Sequence, residues 1–588
     1  MKNFLKYTLA TITGIFVASL LFFLIFFVSI SAMLASASRT VSIGENSVLV
    51  LDTSLPVPER GNDDPFASFD PINMTLTPTS GINDILNNLK RASEDDNIKG
   101  LVIENGPAMN GWAKAREIRE AILKFRESGK FVIAYADFYM SQESYYISTA
   151  ADKIYLNPVA LMEFKGIGSE VMFYKEALKK IGVEYQVVKH GKFKGAVEPY
   201  TETSLSPENR SQIEVFTNGI WDGVLEEISE SRDISTQMLN DIADQLATTD
   251  TGKALELNMI DGFMFRDEFL DRIFTLSDTV SGKKAERVSM SKYSNVVASG
   301  SKVSDSKIAV VYMEGSIVMG KGNDANIGGT RYATELRKIR ENDKYSAVVI
   351  RLNSRGGVAI ASDYIWREVK LLAEKMPVVV SMSNYAASGG YYLACPADAI
   401  FAQPNTLTGS IGVFGMLPQA GKLLNDKLGI TTERVMTNRY ADAPSLFRSM
   451  DSYEKELMQA NVDKTYREFI SRVSEGRNIS IEEADRIGQG HVYFGSDALD
   501  KKLVDYIGGL QDAIDHAAVL AKAESYRIVE LPEIEDTYTR LMKSLGGEIR
   551  AKIIENQLGP AAGFYNDIKE ITGLEGIQAR MPFIINMK

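Results

Sequence analysis

The sequence predicts an α/β protein built from two tandem halves behind an N-terminal transmembrane helix. Three observations carry this. Residues 145–168 (YYISTAADKIYLNPVALMEFKGIG) recur as residues 391–414 (YYLACPADAIFAQPNTLTGSIGVF) at a constant spacing of 246. Tyr145 then matches Tyr391, Asp152 matches Asp398, Pro158 matches Pro404 and Gly166 matches Gly412, the mark of a duplication. In both halves short apolar runs alternate with amphipathic stretches, the pattern of a parallel sheet covered by helices. Finally, no side chain from Tyr7 to Ser38 is charged.

That N-terminal stretch exceeds the roughly 20 apolar residues a bilayer requires. Lys2 and Lys6 precede it, so residues 1–38 are expected to form a cytoplasmic tip and a single span. The bulk of the chain would then face outward. Ala35-Ser36-Ala37 resembles a signal-peptide cleavage site, but the apolar run is longer than the roughly 7–15 residues of a signal core. An uncleaved anchor is therefore expected.

The first half is expected over 46–290. Asn46–Leu51 reads as a strand, 52–80 as a Pro/Asp/Ser-rich loop, and Leu101–Ile103 as a strand. Lys114–Ser128 has helical spacing, and Phe131–Ala134 is a second buried run. The second half, 307–532, repeats the order: Ala347–Leu352, a helix near Ala361–Lys375, then Val378–Val380. Each half ends alike, with Met259-Ile260-Asp261 matching Leu503-Val504-Asp505. Ser281–Lys307 reads as a linker that becomes a strand at Ile308. The tail, 533–588, has no counterpart in the first half and is expected to be helical, with Tyr538–Leu558 amphipathic.

Bulk properties narrow the function. A chain of 588 residues is too long for one core. Its net charge of −12 argues against nucleic-acid binding. A single cysteine, Cys395, rules out an internal disulfide framework and reads as a buried inert thiol. The three histidines show no metal-type spacing, and no metal or organic cofactor is implied.

The candidate chemistry lies in three places. Ser410, in Thr408-Gly409-Ser410-Ile411-Gly412, is expected at a helix start, where unpaired N–H groups favour an oxyanion; an ordinary N-cap serine is an equal alternative. Gly356, Gly357 and Val358 follow a strand and precede a helix, a candidate oxyanion hole or a plain tight turn. Lys194 lies among Phe193, Gly195, Ala196 and Val197, so burial can strip its charge and make it a base. At the repeat spacing Phe164 lies opposite Ser410 and Tyr440 opposite Lys194, so neither half holds both groups.

TGSIGVFG (408–415), NSRGG (353–357), AASGGYYLA (386–394) and GKFKGAVEP (191–199) resemble the SppA-type signal peptide peptidases, the protease IV family of membrane proteases. The resemblance spans essentially the whole chain. It implies two ClpP/crotonase-like halves, Ser410 as nucleophile and Lys194 as general base. It also implies a homotetramer at the outer face of the cytoplasmic membrane that degrades cleaved signal peptides and other hydrophobic peptides. Arg355 departs from the family's usual proline in NSPGG. Rival readings are a broader membrane-protein protease, a crotonase-type acyl-CoA enzyme and a non-catalytic scaffold.

Overall fold

The structure is a computed structural model that describes most of 4–24, then 43–61, 69–70, 75–76, 80–107, 110–278, 285–296, 306–533 and 577–581. Residues 10–21 are helical and exposed, but 25–42, much of the expected span, lie outside the described residues. Among the described residues no helix is long and apolar enough to cross a membrane.

Each half is built on a parallel sheet with the same strand order. In the first the order is Gly262–Phe263, Lys153–Leu156, Phe131–Ala136, Ile98–Glu104, Ser47–Asp52 and Arg287–Ser289. In the second it is Tyr506–Ile507, Ala399–Ala402, Val378–Ala387, Tyr345–Ser354, Lys307–Glu314 and Arg527–Leu531. Val348, Val349 and Ile350 are fully buried, as strands covered on both faces require. Helices Trp112–Arg126 and Ala359–Ala373 start within two residues of the sequence expectation.

The repeated aspartates explain why the duplication is so visible. Asp152 accepts a hydrogen bond from Val132 N and Asp398 from Val378 N, both at 2.8 Å. Asp261 accepts from Ile154 N at 2.9 Å and Asp505 from Ile400 N at 2.8 Å. Each carboxylate ties the edge of one strand to the next turn, a local need shared by both sheets.

Two expectations change. The segment expected as linker holds strand Arg287–Ser289, which pairs with Ser47–Asp52 and closes the first sheet. Its short Arg-Val-Ser run is too polar to stand out from a loop. In the tail, Ile577–Arg580 is a strand, not a helix; the amphipathic stretch Tyr538–Leu558 lies outside the described residues.

A buried ion network joins the halves. Arg351 of the second half is fully buried, 2.7 Å from both Glu59 and Glu117 of the first. Lys114 lies 3.1 Å from Glu59, and Ser383 donates to the same carboxylate. Burial alone would raise the Glu59 pKa, but Arg351, Lys114 and the Ser383 hydroxyl outweigh it and hold it down at about 2.

The first half also lends a strand to the second. Glu184–His190, from the first half, runs antiparallel to Val413–Gln419 of the second. The loop that follows it carries Lys194 into the second half.

Candidate active site

Strand Val378–Ala387 runs directly into helix Gly389–Ala394, with Ser388 between them. Its backbone, at φ 56° and ψ −114°, is in a region that costs a non-glycine residue about 1–3 kcal/mol. Ser388 N donates to Gly409 O at 2.7 Å, which holds this turn. Ser388 is fully buried and caps a short helix whose first N–H groups have no intrahelical acceptor.

Lys194 is also fully buried. Its Nζ lies 2.8 Å from Ser388 Oγ, 3.0 Å from Ser410 O and 3.1 Å from Ser410 Oγ. Gly490, at φ 79°, packs so tightly that a Cβ there would lie 2.7 Å from Lys194 N. Burial pushes the Lys194 pKa well below the ordinary lysine range. Among the described residues no carboxylate pairs with it.

The three contacts fit an uncharged amine. A neutral amine has two N–H donors and one lone pair. Ser410 O can only accept, so it takes one N–H. The two hydroxyls share the other N–H and the lone pair.

Ser410 therefore does meet Lys194, as expected, but not from a helix start. Leu407–Gly409 before it and Val413–Gln419 after it are strands, and Ser410 itself has φ 49°. The apolar spacing at Leu417 and Leu423 belongs partly to strand, which short patterns do not distinguish from helix. It is Ser388 that occupies a helix start.

The glycine loop is beside this hydroxyl. Gly356, at φ 95°, needs to be glycine: a Cβ there would lie 2.8 Å from Gly389 N. A Cβ at Gly389 would lie 3.2 Å from Gly357 N, so those two backbones approach closely. Gly356 N is already used, donating to Ser354 Oγ at 3.2 Å. Gly357 and Val358 are consecutive in strand Gly356–Val358, and neighbouring N–H groups in a strand point to opposite sides. Gly357 and Val358 thus cannot serve one oxyanion together, and Gly389 N is the better partner for Gly357 N.

Sequence reasoning missed Ser388 although a signal existed. At the repeat spacing it lies opposite Gln142, a lost hydroxyl just like Ser410 opposite Phe164. The first half's matching loop is plugged. Glu143, opposite Gly389, accepts from Asn110 N at 2.6 Å and Gly111 N at 3.0 Å. Burial lifts the Glu143 pKa to about 7 against those two donors.

The remaining candidates are structural. Cys395 is buried, and burial pushes its thiol up to about 12. His190 pairs with Asp463 at 2.9 Å, and His516 meets Phe401 edge to face. His491 reaches Ser410 N through its backbone carbonyl.

Two buried hydroxyls on a lysine amine whose pKa burial pushes down, beside close-packed backbone donors in an α/β fold, are the groups a serine-type hydrolase uses. The model of peptidase family S49 matches residues 124–279 and 370–524, once in each half. The chain belongs to that family and is a serine protease. It is 34% identical to Protease 4 of Salmonella typhi, over 80% of this chain and 77% of that one. It is 32% identical to the chloroplastic serine protease SPPA of Arabidopsis thaliana (85% and 73% covered). Protease 4 of Haemophilus influenzae is 33% identical (74% and 72% covered). A solved structure of a ClpP1 mutant from Listeria monocytogenes is 17% identical, covering 35% of this chain and 94% of that one, with a TM-score of 0.24, too low to count for or against a fold.

Proposed function

We propose that the protein is a membrane-anchored endopeptidase with a serine–lysine pair, in which Ser388 attacks and Ser410 holds the lysine. One observation carries this: Lys194 Nζ, buried and with no carboxylate partner among the described residues, is 2.8 Å from Ser388 Oγ. Ser410 offers the amine two oxygens, which fix its N–H groups and turn its lone pair toward Ser388. The strained Ser388 backbone and the adjacent Gly357 and Gly389 favour the same assignment over Ser410.

In the reaction, Ser388 Oγ attacks a peptide carbonyl while Lys194 Nζ takes its proton. Gly357 N and Gly389 N hold the oxygen that becomes negative. Lys194 then gives the proton to the leaving amine. Water, deprotonated by the same lysine, releases the acyl group and regenerates Ser388.

The substrates are extended apolar peptides, above all signal peptides left in the membrane after cleavage. The Protease 4 and SPPA relatives and the uncharged N-terminal stretch support this. The proposal extends, on the family resemblance alone, to ClpP/crotonase-like halves, an outward-facing site on the cytoplasmic membrane and a homotetramer. A broader membrane-protein protease would differ in its accumulating substrates.

The test is turnover of a signal-peptide-derived substrate by Ser388→Ala and Ser410→Ala, with circular dichroism to check the fold. Ser388→Ala is expected to be inactive and Ser410→Ala impaired. Full activity in Ser388→Ala with none in Ser410→Ala would return the nucleophile to Ser410.

A further inference from the structure

The first half holds strand Val378–Ala387 just before the turn that carries Ser388. Asn384 Nδ2 donates to Asn110 O at 2.8 Å, and Asn384 Oδ1 accepts from Lys114 N at 3.1 Å. Both ends of the Asn384 amide are thus spent on first-half backbone. The fit is close: a Cβ on Gly111 would lie 2.5 Å from Asn384 Nδ2. One residue earlier on the strand, Ser383 donates to Glu59 of the first half.

The loop that Asn384 binds is itself held by a carboxylate. Glu143 accepts from Asn110 N at 2.6 Å and from Gly111 N at 3.0 Å. Asn110 Oδ1 in turn accepts from Val57 N at 2.6 Å. At the repeat spacing Gly111 is the counterpart of Gly357, and Glu143 of Gly389. The Glu143 carboxylate therefore stands against the N–H that corresponds to the one assigned to the oxyanion at Gly357. The degenerate copy of the site still binds an anion, and that anion is its own side chain.

We propose that Glu143 is a positioning residue for Ser388, acting through the Asn110–Gly111 loop and Asn384 on strand Val378–Ala387. This rests on the serine–lysine reading above. The carboxylate serves both donors only when ionised, because protonation turns one of its oxygens into a donor facing an N–H. Burial lifts the Glu143 pKa to about 7, so the brace is complete above that pH and loosens below it. The charge facing Glu143 is Lys114 of helix Trp112–Arg126, whose Nζ also meets Glu59, with Glu314 next to Glu59. Strand Val378–Ala387 presents the uncharged Asn384 amide, and helix Gln142–Ser148 carries no other charged residue.

The test compares the parent, Glu143→Gln, Asn384→Ala and the double variant on a signal-peptide-derived substrate between about pH 5.5 and 8.5. Glutamine keeps the volume but offers one acceptor to two donors. Near pH 8.5, Glu143→Gln should lower kcat by about tenfold with KM nearly unchanged. Near pH 5.5 the parent carboxyl is itself protonated, and the two proteins should differ by less than about twofold. Asn384→Ala should show the same loss, and Glu143→Gln should add nothing to it. A merely structural role would give a parent-to-variant ratio that ignores pH; that result, or losses that multiply, overturns the proposal. A second readout does not need turnover. Hydrogen exchange of residues 384–394, corrected for its intrinsic pH dependence, should be about tenfold faster in Glu143→Gln than in the parent near pH 8.5. Equal exchange there overturns the proposal, whereas absence of turnover in every form would count against the peptidase reading alone.

Discussion

Lys194 Nζ and Ser388 Oγ are 2.8 Å apart although 194 residues separate them in the chain. The first half delivers the amine on a loop behind strand Glu184–His190, and the second supplies the hydroxyl at a strand-to-helix turn. Neither half is complete alone. Ser388→Ala and Lys194→Ala are each expected to lose about a thousandfold or more in kcat with the fold intact. Ser410→Ala should lose about 10–100-fold, since Lys194 keeps its contact with Ser388 but loses one that orients it. Steady-state kinetics on the three variants checks this order.

The pH profile should report Lys194. Burial holds its pKa well below the usual lysine value, and in the proposed mechanism the neutral amine is the base. Activity should therefore rise with pH along a limb set by that lowered pKa, with substantial activity at neutral pH. Lys194→Arg should be inactive across the range, because guanidinium stays charged.

The same lysine should cost stability. Between its lowered folded pKa and about 10.4, the unfolded chain binds a proton that the folded chain does not. Stability contributed by this site thus rises with pH through that window. Lys194→Met should be more stable than the parent at pH 7, by on the order of 1–3 kcal/mol, with the gain shrinking as pH nears 10. Denaturant unfolding at the two pH values measures it.

Arg351 and Glu59 set the union of the halves. Removing the buried guanidinium leaves Glu117 without its cation and Glu59 with Lys114 alone. Arg351→Ala is expected to cost about 3–5 kcal/mol in unfolding free energy. Glu59 is held down at about 2, so its contribution is fully present above about 4.3 and is lost as pH falls toward 2. The acid limb of a thermal-unfolding profile should shift in Glu59→Gln.

Gly356→Ala should damage catalysis with little effect on circular dichroism. The added Cβ would meet Ala579 O at 2.3 Å and Gly389 N at 2.8 Å, and φ 95° disfavours any side chain. Displacing the neighbouring oxyanion donors should lower kcat by about 10²-fold or more.

Much of the architecture was legible because it rests on local pattern. Parallel strands such as Val348–Ile350 are buried on both faces and therefore read as unbroken apolar runs. Asp152 and Asp398 do the same job in both sheets, so the duplication survives in sequence. Arg287–Ser289 and Ile577–Arg580 were not legible: both are short, and they become strands only by pairing with distant partners.

The sequence by itself determined the two-half α/β plan, the site loops and the lysine whose apolar neighbours push its pKa down. Only the tertiary structure decided that a second hydroxyl, Ser388, meets that amine beside Ser410. Ser388 and Ser410 stand in similar small-residue contexts, and the difference lies in backbone torsion, in which groups the amine's N–H donors reach, and in which glycines approach. Those quantities arise where remote segments meet, so no local run of residues encodes them.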